Sequence, residues 1–399
     1  MENSLSPSKT SSDFSQIHGP IIKVLGLGGG GSNAVDRMIE LGIEGVEFLV
    51  ANTDHQSLSQ SHAPVKIQLG PELTRGLGAG GNPEVGRAAA EESRAEISEA
   101  LKGADMIFLT AGMGGGTGTG AIAVAGEIAR SLGAVTIAIV TTPFAFELGG
   151  RQKNSQSGLA LLQGKADTII AIPNDRLLYV APPDLPLDLA FRLADDVLRQ
   201  AVQGIAELVT QPGIMNVDFS HIRNLMSKGG GALMAIGQGE GEEKTSQAIQ
   251  QALNHPLLES VSLADAAGVI AHFSGGDDLS LHEVGEALGL IHEQTGSDVD
   301  VVMGLSSDEQ MNGRAQVILV ITGIGAPTLS DSMPQVDALP QNPGIVEETD
   351  IEETMEETEP SITRVDLEEA IPKSALNNLD IPAFLRKKAR LDLANKISS

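Results

Sequence analysis

Five short runs of aliphatic and β-branched residues recur through the first half of the chain: IIKVLGL from Ile21, VEFLVA from Val46, DMIFLTA from Asp105, AVTIAIVTT from Ala134 and DTIIAIP from Asp167. Each is apolar at successive rather than alternate positions, the pattern of strands covered on both faces. Helical stretches lie between them, the clearest opening at Asn82-Pro83-Glu84. There Asn82 suits the N-cap, Pro83 the first turn and Glu84 the positive end of the helix dipole. This alternation predicts an α/β fold with a parallel, doubly wound sheet. Ala190, Leu193, Ala194, Val197, Leu198, Ala201, Ile205 and Leu208 then recur at spacings of three and four, so one long central helix is expected over residues 187–210. Gln211-Pro212-Gly213 stops it. GALMAIGQ, AGVIAHFSG, DVDVVMGL and RAQVILVITG follow, separated by two helical patterns, and predict a second, smaller α/β domain ending near Gly325.

Charge and composition narrow the function. Against 26 basic residues stand 53 acidic ones, a net charge of -27. Such a surface repels phosphate backbones and anionic membranes, so neither a nucleic acid partner nor direct membrane insertion is expected. Cysteine is absent, which excludes disulfides, thiolate metal sites and cysteine nucleophiles and fits a reducing interior. The opening MENSLSPSKTSSDF lacks an apolar signal-peptide core, so residues 1–19 read as a disordered polar tail. No stretch approaches the roughly 18 to 20 apolar residues of a spanning helix, and a soluble, cytoplasmic protein is expected. Residues 327–375, including EETDIEETMEETEP, have the composition of a solvated acidic linker. About 50 such residues span on the order of 40 Å. Within residues 376–399, LDIPAFLRKKAR concentrates Leu379, Ile381, Phe384 and Leu385 in a short basic stretch, the pattern of a partner-binding peptide on a tether.

Two glycine-rich loops follow strands. The first carries Gly26, Gly28, Gly29, Gly30, Gly31, Ser32 and Asn33, and fits the G-x-G-x-x-G template. Bare backbone N–H groups in such a loop can approach phosphate at a helix N-terminus. Alone it also fits a tight structural turn, or a dinucleotide site with Asp54 as the ribose-binding acid. The second, Gly112-Met-Gly-Gly-Gly-Thr-Gly-Thr-Gly120, follows DMIFLTA and adds two hydroxyls to six glycines in nine residues. Two such loops on one sheet point to a nucleotide polyphosphate held from both sides. No G-K-[ST] follows either loop, so the site is not a Walker P-loop.

GMGGGTGTG resembles the signature of the tubulin/FtsZ family, and the chain resembles that family's bacterial cell-division GTPases from about Ile21 to Gly325 and again at LDIPAFLRKK. The resemblance implies a GTP-binding domain over 20–186, the central helix over 187–210 and a C-terminal GTPase-activating domain over 211–326. It implies GTP or GDP on Gly28 to Ser32 and Asn33, on Ala79, Gly80, Gly81 and Asn82, and on Gly112, Gly114, Gly115, Gly116, Thr117, Gly118 and Thr119. Mg²⁺ would ride on the phosphates and waters without a dedicated protein cage. Asn52, Thr53 and Asp54 match the γ-phosphate-sensing loop, Glu147 and Arg151 the ribose-binding turn, Asn174 and Asp196 the readers of the base, and Phe191 the ring stacked on it. Where the family usually has glycine after the glutamate, this chain has Leu148.

The resemblance also implies a composite active site, in which a second subunit inserts the loop matched here by GIMNVDFSHIRN. Asn216 and Asp218 fit its pattern, whereas His221 stands where the pattern has a second aspartate. A neutral histidine still offers one acceptor nitrogen and titrates near neutrality. Three outcomes stay open: slow hydrolysis carried by Asp218, a GTP-binding polymer without turnover, and His221 as a substitute base. The expected partners are further copies stacked head to tail, and membrane-anchor and regulator proteins binding Asp380 to Arg386, at the division site. An NAD-dependent oxidoreductase is the rival reading, and leaves the second glycine loop and the acidic tether without a role.

Overall fold

A computed structural model describes residues 19–147, 149–178, 185–210, 218–228, 230–256, 258, 263–296 and 299–324. The expectations for the N-terminal tail, Leu148, Asn216, the acidic linker and the C-terminal peptide lie outside these residues.

The five apolar runs form strands β1 (Ile22–Leu27), β2 (Val46–Asn52), β4 (Met106–Gly112), β5 (Val135–Thr142) and β6 (Thr168–Pro173), with the short edge strand β3 (Val65–Gln68) beside β2. VKIQ has four residues and two polar side chains, too short a run to signal a strand. The later runs form β7 (Gly231–Glu240), β8 (Gly268–Gly275), β9 (Asp300–Ser307) and β10 (Arg314–Ile324). Together they make one sheet in the order β3-β2-β1-β4-β5-β6-β7-β10-β8-β9. Strands β1 to β6 pair in parallel, and β10 runs antiparallel to both β7 and β8. The expected smaller α/β portion thus extends the same sheet, through a seam of two residue pairs, Ile169 with Gly231 and Ile170 with Ala232.

The sheet is doubly wound. Ile22 and Val24 point into one core with the helices Gly28–Glu40 and Leu187–Thr210. Leu25 and Leu27, on the opposite face, point into a second core with the helices Pro83–Glu92, Thr117–Ser131 and Gly149–Leu162. Strand β1 meets β2 on one side and β4 on the other, so chain direction across the sheet reverses between β1 and β4. Ligands of open α/β sheets bind outside the carboxyl ends of the strands at such a point.

The predicted central helix is present as Leu187–Thr210, with Ala190, Ala194, Val197, Leu198, Ala201, Ile205 and Leu208 buried as its stripe required. Its 24 residues span about 36 Å. Near its start the Phe191 ring meets Phe144, just past the carboxyl end of β5. At its end Thr210 lies against Gly45, where a Cβ would come within 2.9 Å of the threonine Cβ, just before β2 begins. The helix therefore runs from the carboxyl to the amino end of the parallel strands. It also ties the two parts of the sheet together: Gln316 donates to Gln200 at 3.0 Å, and His272 Nε2 lies 3.1 Å from the Glu207 carboxylate.

Candidate functional site

At the switch point the two glycine loops pack backbone to backbone. The first is the opening turn of the helix Gly28–Glu40 rather than a free loop. Glycine is a poor helix former, but here close packing overrides propensity. A Cβ on Gly28 would fall 2.7 Å from the Gly118 nitrogen, and one on Gly31 would fall 2.3 Å from the Thr110 oxygen. These contacts bring two helix N-termini side by side, Gly28–Glu40 after β1 and Thr117–Ser131 after β4. Neither has a side-chain cap, and neither has an acidic residue in its first turn. The orphan N–H groups and the positive ends of both dipoles are thus left for an anion.

Two glycines in this cradle have no reason within the chain to be glycine. A Cβ on Gly29 or Gly115 would meet nothing within 4 Å, and neither has a positive φ. Bare backbone there leaves room for the close approach of a phosphate. The loop from Ala79 to Asn82 adjoins them: Gly80 and Gly81 take positive φ, and the Asn82 side chain caps the helix Pro83–Glu92 by accepting from Glu84 N–H at 3.0 Å.

The flanking residues hold one another in place. Thr53 and Thr117 hydroxyls are 2.6 Å apart, linking the end of β2 to the second glycine loop. Asn52 and Thr53 are buried. The Asp54 carboxylate caps the helix His55–Gln60, accepting from the N–H groups of Gln56 at 2.9 Å and Ser57 at 3.2 Å. Thr119 turns inward, its hydroxyl accepting from Gly114 N–H at 2.8 Å. Glu147 accepts from Phe144 N–H at 2.9 Å and pairs with Arg151.

Beyond them a partly exposed aromatic ring and a buried amide follow. Phe191 is edge-on to Phe144 at 5.4 Å and keeps 39% of its surface exposed. Asn174 is buried at the end of β6, and its side-chain oxygen has no partner. An orphaned buried acceptor is costly unless a ligand donor completes it, and the guanine N–H edge offers such donors. Asp196, next along the same helix, accepts from Arg199 at 2.7 Å and Gln200 at 2.6 Å. Its neighbour Asp195, four residues after Phe191, shares that ring's helical face. Burial pushes the Asp195 carboxyl up to about 7. The sequence reading passed over Asp195, though its spacing from Phe191 was a usable signal. It also missed Asn154, whose amide donates to Gly81 O at 3.1 Å and Gly114 O at 3.2 Å, and which no motif marks.

Asp218 and His221 are not part of this cluster. They open the helix Phe219–Ser227, where Asp218, Ser220 and His221 are exposed. Asp218 caps it, accepting from Ser220 N–H at 2.8 Å, and that bond holds its carboxyl below the usual range, with His221 adding a smaller pull. The far end of the helix is anchored where Thr168, the first residue of β6, donates to Met226 O at 2.7 Å. Both residues thus follow the end of the central helix, toward the amino ends of the parallel strands. Among the described residues no group of His, Asp or Glu gathers closely enough to hold a metal ion.

The tubulin/FtsZ family GTPase domain matches residues 21–182, and the FtsZ family C-terminal domain matches residues 230–325. An empty FtsZ dimer from M. jannaschii is 42% identical, with a TM-score of 0.75 over 78% of this chain and 90% of that one. A second M. jannaschii FtsZ structure is likewise 42% identical, with a TM-score of 0.74 over 77% of this chain and 92% of that one. The chain belongs to the FtsZ family. As a member it is a GTPase, a filament-forming, GTP-binding cell-division protein. The oxidoreductase reading falls with this assignment, and Asp54 is occupied as a helix cap. CetZ2 from Haloferax volcanii, in a GTPγS-bound protofilament, is 20% identical with a TM-score of 0.67 over 78% of this FtsZ-family chain and 96% of that one, and shares the fold. No described helix is long and apolar enough to cross a membrane.

Proposed function

We propose that this FtsZ-family chain hydrolyses GTP at a site completed by two copies stacked head to tail, and does so slowly. The observation that carries the reading is the separation of the two halves of the chemistry. The glycine loops lie at the carboxyl ends of β1 and β4, whereas Asp218 and His221 come after a helix that has crossed to the amino ends. One copy cannot bring them together, but a second copy stacked along the strand direction can. Such a contact is heterologous and builds filaments. The described M. jannaschii dimer is in keeping with self-assembly.

In this reading the polyphosphate lies on the N-termini at Gly28 and Thr117 and on Ala79 to Asn82. Glu147 and Arg151 hold the ribose, Phe191 stacks on the base, and Asn174 accepts from guanine together with the acids at Asp196 and Asp195. Mg²⁺ travels with the phosphates and neutralises charge there. Asn216, Asp218 and His221 from the next copy order the attacking water, work that is mainly positioning and electrostatics. His221 supplies no carboxylate, so Asp218 carries most of the effect. The GTP-binding and GTPase-activating domains take residues 20–186 and 211–326, and Asp380 to Arg386 docks membrane anchors and regulators at the division site, reached through the acidic linker.

The test measures phosphate release and light scattering against protein concentration, for the wild-type chain and His221→Asp in parallel. The expected result is GTP-dependent scattering with slow release in the wild type and several-fold faster release in His221→Asp. Brisk wild-type release with no gain from the substitution overturns the slow-site reading. Release that is strictly proportional to concentration, with no threshold and no scattering, overturns the composite site.

A further inference from the structure

We infer that Asn154 is a positioning residue for the polyphosphate, clamping the Ala79–Asn82 loop to the second glycine loop and masking two carbonyls that would otherwise repel an anion. The inference deepens the GTP-site reading above and rests on it.

A phosphate cradle needs N–H groups turned inward. Every peptide unit that presents its N–H also carries a carbonyl, and a carbonyl oxygen left free beside a polyphosphate is an electrostatic liability. Gly81 and Gly114 belong to different loops, and both take positive φ, +74° and +101°. Their carbonyl oxygens converge on one group, the Asn154 amide nitrogen, at 3.1 Å and 3.2 Å. A side-chain NH₂ has two hydrogens, enough for both. The bonds fix the distance between the loops and occupy the two acceptors at once.

The clamp is built on a rigid element. Asn154 lies on the helix Gly149–Leu162, whose Ser155, Leu159 and Leu162 are buried. That helix is seated directly on the second loop: a Cβ on Gly158 would fall 2.3 Å from Thr119 Cγ2, and one on Gly114 would fall 2.9 Å from Arg151 O. The reach of the amide is therefore set before any nucleotide arrives, which lowers the ordering cost of binding. Few side chains could replace it. Serine brings one donor, and aspartate, nearly the same shape, brings none and adds a negative charge beside the phosphates.

The experiment uses the full chain as wild type, Asn154→Ala, Asn154→Ser and Asn154→Asp. Affinities for GTP and for guanosine are measured by competition against a fluorescent GTP analogue, with thermal unfolding and steady-state hydrolysis above the assembly threshold. The expected result is a GTP affinity about tenfold weaker in Asn154→Ala, near 1.4 kcal/mol. Asn154→Ser falls between it and wild type, and Asn154→Asp is weaker still. Guanosine, which lacks phosphates, binds all four alike. KM rises while kcat changes less than about twofold, because the clamp serves ground and transition states together. Wild-type GTP affinity in Asn154→Ala, or an equal loss for GTP and guanosine, overturns the clamp while leaving the nucleotide site standing. Failure of the wild-type chain itself to bind GTP overturns the site reading and the clamp with it. Should Asn154→Ala unfold, Asn154→Ser carries the same comparison.

Discussion

A single step along a helix, from Asp195 to Asp196, changes what a carboxylate can do. Asp196 is held by Arg199 and Gln200 and stays an ordinary ion-pair partner. Asp195 lies on the Phe191 face, and burial pushes its carboxyl up to about 7. The folded-state value is thus raised above the unfolded one of about 4. Between these values the folded chain holds the extra proton, so this residue makes stability fall as pH rises through that window. In Asp195→Asn, that part of the pH dependence should vanish and the melting midpoint at pH 8 should rise. Guanine N–H donors favour the ionised form, so GTP affinity should strengthen as pH climbs toward about 7 in the wild type and lose that dependence in Asp195→Asn. Binding titrations across the window decide it, and a slope that survives the substitution excludes Asp195 from the base site. The two neighbouring acids of the motif ADD differ in helical phase, which sets side-chain direction and which a motif match does not register. Asn174, Phe191 and Asp218 were legible as residue types at strand and helix ends. Asn154 was not, since its function depends on two carbonyls distant in sequence.

At the scale of elements, strands and caps were legible and the glycine loops only partly so. Continuous apolar runs can be buried only in a covered sheet, and Asn82-Pro83-Glu84 carries its cap on its face, so both appear as expected. The first glycine loop reads as irregular because glycine disfavours helix, yet from Gly28 onward it is helical, held by backbone packing that local sequence does not encode. That difference separates two substitutions of identical chemistry. Gly31→Ala drives a methyl into the Thr110 carbonyl, 2.3 Å away, and should lower the melting midpoint sharply. Gly29→Ala enters open space on a helix and should leave the midpoint unchanged or raise it by the alanine preference of up to about 1 kcal/mol. The same Gly29→Ala should nevertheless weaken GTP binding, because the added methyl stands where phosphate approaches. Melting curves and nucleotide titrations on the pair check both halves. Undiminished GTP affinity in Gly29→Ala removes that turn from the phosphate site.

For the whole molecule, the central helix is the decisive element. It begins beside Phe144 at the carboxyl ends of the parallel strands and delivers the chain to Asp218 at the other. It bonds to β10 through Gln200 and Gln316 and to β8 through Glu207 and His272, so it links the two parts of the sheet in addition to the seam of two residue pairs. Polarity of this kind makes complementation between defective copies possible. Gly115→Asp places a charge in the phosphate cradle, at a position with room for a side chain. Asp218→Asn removes the carboxylate but keeps a capping oxygen for Ser220, so the helix should remain intact. Each variant alone should hydrolyse GTP poorly. Mixed in equal amounts, the intact cradle of an Asp218→Asn copy can meet the intact Asp218 of a Gly115→Asp copy. Random stacking makes about one contact in four productive, so activity should return to about a quarter of wild type. A mixture that co-sediments as filaments yet stays as slow as its components would show that each copy must supply both halves, and the head-to-tail site would be wrong.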